Sequence, residues 1–240
     1  MKKTNWKKIT ETENSASSHE CYKDCDSFCC TYKSIVAHTS FIKNLATLFL
    51  TVDEFNYLSG SGRLQPDLKY TPVKIEVSDN VKFQVYTSKC TYEGMCPEHK
   101  FRPFFCKLYP AYPQIGINGE ISSYSKGKIW QEKIFDQTPC TIHADSLVNM
   151  NTEIIAREFF NEPKNIFYFK CIEILNTYIE KKIMQLKKKE PGIANEQLIE
   201  KIEIMYLKNK LLEFEKINKE VEILYDEMLS FWGSNLVLDV

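Results

Sequence analysis

The sequence predicts an α+β chain in which an irregular, cysteine-rich region with short strands and helices precedes a long α-helical hairpin. Three observations carry this. The cysteines gather in two knots, Cys21, Cys25, Cys29 and Cys30 first, then Cys90, Cys96 and Cys106 with Cys140 trailing behind. Between and after the knots, apolar residues alternate with polar ones at the two-residue period of strands. Beyond residue 150 the period becomes helical.

The elements follow in order. Residues 1–20 are expected as a flexible lead, because residues 9–20 are largely polar. The start is basic, Met1-Lys2-Lys3, but no apolar stretch follows as in a signal peptide. The protein is therefore read as cytoplasmic. Residues 21–150 are expected to form the cysteine-cluster domain. Within it, Thr51-Val52-Asp53-Glu54 has the form of a capping box, which starts a short helix through Phe55 and Leu58 that Gly60-Ser61-Gly62 ends. Val73, Ile75 and Val77 alternate with polar residues, as do Val81, Phe83 and Val85, with Ser78-Asp79-Asn80 turning a hairpin between them.

The second knot, from Cys90 to Pro113, holds four prolines (97, 103, 110 and 113) and is expected to be irregular and stiff. Asn118-Gly119 marks another hairpin turn. Residues 151–240 are read as a helical hairpin. One helix spans about residues 152–188 with a kink at Pro163, and Pro191-Gly192 breaks it. A second helix spans about residues 195–231. Its rows Leu207, Phe214, Val221, Met228 and Ile217, Leu224, Phe231 suit packing on a neighbouring helix, with a protein partner as the other use for such a stripe.

Composition narrows the function. The chain of 240 residues carries 31 basic and 32 acidic residues, net charge -1, which makes no case for a nucleic-acid or membrane-seeking surface. The longest apolar run, near Ala46–Leu50, is too short to span a bilayer. In a reducing compartment, nine cysteines point to metal ligands rather than disulfides.

Thiolates are soft donors that select zinc, copper(I) and iron–sulfur clusters. On one regular helix, Cys21 and Cys29 would lie about 12 Å apart along the axis. Sulfurs sharing a zinc must lie within about 4 Å of each other. The first knot therefore wraps as a loop or serves more than one metal ion. Neighbouring side chains diverge, so the Cys29-Cys30 pair suits a polynuclear cluster or two nearby ions. In the second knot, Arg102 and the lysines Lys89, Lys100 and Lys107 offer positive charge to offset thiolates. His99 is a candidate ligand, with a surface or supporting role the plainer reading. Cys171 lies in a helical apolar pattern and reads as core.

The order Cys21-x3-Cys25-x3-Cys29-Cys30, then Cys90-x5-Cys96, then Arg102-Pro103-x2-Cys106-x-Leu108-Tyr109-Pro110 and a later Cys140 resembles the bacterial YkgJ-type cysteine-cluster family of zinc- or iron-chelating proteins. The resemblance covers about residues 21–140. It departs in the first knot, where spacings of two are commoner in the family, and in Pro97-Glu98, where an apolar-Tyr pair is usual. It implies a metal-binding protein with zinc or iron as cofactor, the iron as an iron–sulfur cluster in one version, and Cys21, Cys25, Cys29, Cys30, Cys90, Cys96, Cys106 and Cys140 as converging ligands. The alternative is an iron–sulfur enzyme related to flagellin lysine N-methylases, whose cysteine-rich start is similar. Against it stands the lack of a glycine-rich loop after a strand, in a chain with eight glycines.

Overall fold

A computed structural model describes residues 2–13, 47–92, 96, 99–109, 111–126, 150–208 and 210–239. Among them the chain is a mixed α and β protein with short sheets and long helices near its end. The first knot, Cys140 and the stretch from Tyr32 to Ala46 lie outside the described residues.

The segment expected as a polar lead contains a helix, α1 (Trp6–Glu11). Asn5 caps it by accepting from the Lys8 N–H at 3.0 Å. Trp6 and Ile9 are buried in the main core. Two apolar residues three apart place one helical face inward, a signal short enough to hide among the lysines around it.

Strand β1 (Thr47–Thr51) runs directly into α2 (Val52–Gly60). Thr51 ends the strand and caps the helix, its hydroxyl accepting from the Glu54 N–H at 3.2 Å. Strands β2 (Thr71–Glu76) and β3 (Lys82–Lys89) form the expected hairpin, and β3 lies between β1 and β2 in an antiparallel sheet. The register pairs Thr51 and Val73 with opposite edges of Val85. Phe55 of α2 stacks on Tyr86 of β3, ring centroids 3.7 Å apart, which fixes the helix on the sheet.

The proline-rich second knot is more regular than its composition implies. A 3-10 turn at His99–Phe101 leads to α3 (Phe104–Leu108). Strand β4 (Ala111–Ile115) then includes Pro113, and among the described residues it pairs only with β5 (Ile121–Lys126), in a two-stranded ribbon that leaves a proline an open edge. At the β4–β5 turn Gly119 has φ +83°, and a Cβ there would lie 3.1 Å from Ile166 Cδ1 and 3.3 Å from the Phe160 carbonyl oxygen. The turn thus needs glycine both for its backbone and for its close seat on the helices. Trp232 Nε1–H donates to the Ile117 carbonyl at 2.8 Å and holds the turn from the far side.

The helical region differs from the expected two-helix hairpin in two places. Pro163 does not kink a helix: α4 (Met150–Phe159) ends and α5 (Pro163–Lys189) begins, with Pro163 at the start, where its missing N–H is harmless. The Asn165 side chain donates to the Phe159 carbonyl and to Thr4 Oγ1, both at 2.9 Å, and so satisfies the end of α4. After the Pro191-Gly192 break, α6 (Asn195–Leu207) and α7 (Phe214–Trp232) replace the single second helix. Tyr178 Oη donates to Glu220, Phe167 meets Tyr225, and Tyr168 reaches Asp239, so α7 runs antiparallel to α5. Helix α6 covers the distal half of α5 through Ile183, Leu198, Ile199 and Ile202. Leu211, between α6 and α7, closes that same cluster, and Leu212 packs on both cores. The helix is interrupted there, with Leu211 buried and Leu212 partly so, an irregularity with no proline or glycine to announce it. Ile217, Val221, Leu224 and Met228 line the buried face of α7 as the heptad rows require, while the outer members Phe214 and Phe231 are exposed. No helix among the described residues is long and apolar enough to cross a membrane.

Candidate metal centre

Of the eight cysteines expected to converge, Cys90, Cys96 and Cys106 are described, while Cys21, Cys25, Cys29, Cys30 and Cys140 lie outside the described residues. Cys90 follows the last residue of β3, opposite the start of β1. Cys96 sits in the loop beyond it, and Cys106 is in the middle of α3.

Cys90 and Cys106 share one neighbourhood, and Cys96 acts electrostatically on Tyr92, which packs there. Cys90 belongs to a small apolar cluster with Leu48, Leu50 and Leu58, against which Cys106, Tyr70 and Tyr92 pack. Burial raises the Tyr92 phenol above its ordinary value, and Asp67, Cys96 and Cys90 add to the shift. Burial likewise pushes Tyr70 up to about 12, and Glu54, Tyr92 and Cys106 press the same way. The Gln65 backbone N–H opposes that shift, yet the Tyr70 hydroxyl has no hydrogen bond of good geometry. Both phenols therefore stay protonated, and Tyr70 Oη, Tyr92 Oη, Ser88 Oγ and Glu54 Oε2 are buried atoms without a hydrogen-bond partner among the described residues.

The support beneath Cys106 comes from α2 and α1. Glu54 of α2 is buried, and its Oε1 accepts from the Phe104 N–H at 2.6 Å, at the start of α3. Burial raises the Glu54 carboxyl to about 8, against the opposing pull of the Phe104 and Thr51 N–H groups and Lys107. The residue expected to complete a capping box at Thr51 also reaches a segment fifty positions away. Lys107 Nζ donates to the carbonyls of Ile9, Thr10 and Thr12 at 2.9, 2.7 and 3.0 Å. Three acceptors match the three N–H bonds of an ammonium, at the end of α1 where carbonyls are unpaired. Burial lowers Lys107 to about 8, with Glu54 the first of the charges opposing it. Its ammonium clamps the end of α1. Arg102 is buried. Phe104 stacks on Phe159 with centroids 3.6 Å apart and ties the same helix to the main core.

His99 lies in the 3-10 turn before α3. Cys171 is on α5, packed against the main core, and burial pushes its thiol up to about 12, in keeping with a core cysteine. Among the described residues, no three His, Cys, Asp or Glu side chains gather closely enough to hold a metal ion by themselves. Cys90 and Cys106 are soft donors of the kind a thiophilic metal takes, and Tyr70 Oη and Tyr92 Oη lie in the same cluster without hydrogen-bond partners among the described residues. Glu54 and Lys107 were not read as supports from sequence. A buried-type position for a lysine two residues before Tyr109-Pro110 carries no periodic signal, and Glu54 was already explained by its own helix.

No protein-family model matches the chain, and no curated protein and no solved structure matches it either.

Proposed function

We propose that this chain is a metal-binding protein that chelates zinc or iron, the iron alone or as an iron–sulfur cluster, through its clustered cysteine thiolates. The observation that supports the reading is that Cys90, at a strand end, and Cys106, on a helix, pack in one cluster with Tyr70 and Tyr92, and that Cys96 and Cys90 both act on Tyr92. A soft metal needs several thiolates drawn to one centre, and clustered cysteines are the residues that supply them. In this reading Cys21, Cys25, Cys29, Cys30 and Cys140 supply the remaining donors, and the YkgJ-type resemblance accounts for their order. Such thiolates persist in a reducing, cytoplasmic setting.

Elemental analysis and the visible spectrum of anaerobically purified protein test this. Zinc without colour means a chelating or structural centre. Iron and sulfide with a broad band near about 400 nm mean a cluster. Neither metal, after reconstitution has also been attempted, removes the reading.

A further inference from the structure

Helix α3 has five residues, Phe104–Leu108, and Cys106 is its middle one. One turn of helix is not stable alone, so the position of Cys106 is set by whatever grips its neighbours. Its N-cap is Pro103, which makes no side-chain capping hydrogen bond. The Phe104 N–H is instead taken by the Glu54 carboxyl at 2.6 Å, from another element. On the other side of Cys106, Lys107 is tied to three carbonyls of the α1 end. A buried carboxyl is expensive to desolvate, and a local Ser or Asp at position 103 would cap a helix more cheaply.

We propose that Glu54 is a positioning residue for Cys106, with Lys107 as its counterpart: together they hold the thiol between two clamped residues and hand the stiffness of α2 and α1 to the metal centre. The inference rests on the metal-binding reading for what Cys106 is held to do. It predicts that the oxygen at Oε1 is what matters, so that glutamine serves there and alanine does not.

The test compares the full-length protein with Glu54→Ala, Glu54→Gln and Lys107→Met. The first readout is the iodoacetamide alkylation rate of Cys106 after chelator treatment, measured by peptide mass spectrometry with Cys171 as internal reference. Glu54→Ala should raise the Cys106 rate relative to Cys171 by roughly ten-fold, and Glu54→Gln should keep it within about two-fold of wild type. Lys107→Met should raise it as well. The second readout is zinc affinity by competition with a chromophoric chelator, which should fall by roughly 10–100-fold in Glu54→Ala and hold in Glu54→Gln. The proposal is overturned if Glu54→Ala leaves Cys106 as slow as wild type, or if Cys106 and Cys171 speed up in parallel, which is general loosening. Wild-type protein that takes up neither zinc nor iron refutes the metal reading alone, because the alkylation arm still decides whether Glu54 positions Cys106.

Discussion

The helical half and the cysteine-bearing sheet are built on different terms. In the former, Phe159, Phe160, Phe167 and Phe169 interlock edge to face with Trp6, Phe83, Phe104 and Tyr225, all in one large core. Its end is latched by Asp239, whose carboxylate meets Lys164 at 2.9 Å and Tyr168 at 3.3 Å, while its carbonyl accepts from the Gln84 N–H at 2.7 Å. In the latter, Phe83 of β3 joins that main core, while the side carrying Cys90 packs a small separate cluster around Leu48, Leu50 and Leu58, ringed by tyrosines. Glu54 Oε2, Tyr70 Oη, Ser88 Oγ and Tyr92 Oη are left there without hydrogen-bond partners among the described residues. Native cores satisfy nearly all buried polar atoms. Among the described residues the contrast is therefore one of degree: Asn165 Oδ1 is the orphaned polar atom of the helical core, whereas four gather around Cys90 and Cys106.

The largest effect that breaks this division is a core truncation. Phe167→Ala, at a fully buried position of α5, should lower unfolding free energy by about 3–5 kcal/mol in urea titrations while leaving bound metal per folded chain unchanged. Loss of metal at that position would mean that the two regions are not separate in function. Next comes metal removal. Chelator should speed amide hydrogen exchange in β1, β3 and α3 and leave α5 and α7 protected, and uniform loss of protection would dissolve the comparison.

A smaller effect comes from the latch. Asp239→Asn should destabilise by about 1–3 kcal/mol, because Lys164 loses one of the two carboxylates it shares between Asp53 and Asp239. The same titrations check it.

The subtlest is a pH dependence. Glu54 is held at about 8 when folded, against 4.5 as its ordinary value, so the folded state keeps its proton longer than the unfolded one. Its stabilisation is complete below about pH 4.5 and is lost as pH rises toward 8. Glu54→Gln cannot titrate, so the stability of wild type relative to Glu54→Gln should fall between pH 5 and 8. A flat difference across that window would mean that Glu54 is ionised in the fold.

Much of the scaffold was legible where one residue type has one physical job. Thr51 as a hydroxyl cap, the Val73–Val85 alternation, Asn118-Gly119 at a turn and the Pro191-Gly192 break all stand where their chemistry requires. Helix α1 was not legible, because its burial depends on Phe159, more than a hundred residues away, rather than on its own pattern. The step between α6 and α7 was hidden for a similar reason: Leu211 and Leu212 continue a helical apolar rhythm, and packing against α5 alone decides that the chain bends there. The cysteines announced a site through their clustering, but its supports did not. The Glu54–Phe104 and Lys107–α1 contacts join segments that no local rule connects.

The central claim is tested most directly by metal content in paired variants. Protein carrying Cys90→Ser, Cys96→Ser and Cys106→Ser together is compared with Cys171→Ser and wild type, all purified anaerobically and analysed for zinc, iron and sulfide. The account predicts that the triple variant loses its metal while keeping the helical far-UV signal, and that Cys171→Ser retains the wild-type amount. Full metal content in the triple variant, or equal loss in Cys171→Ser, would contradict it.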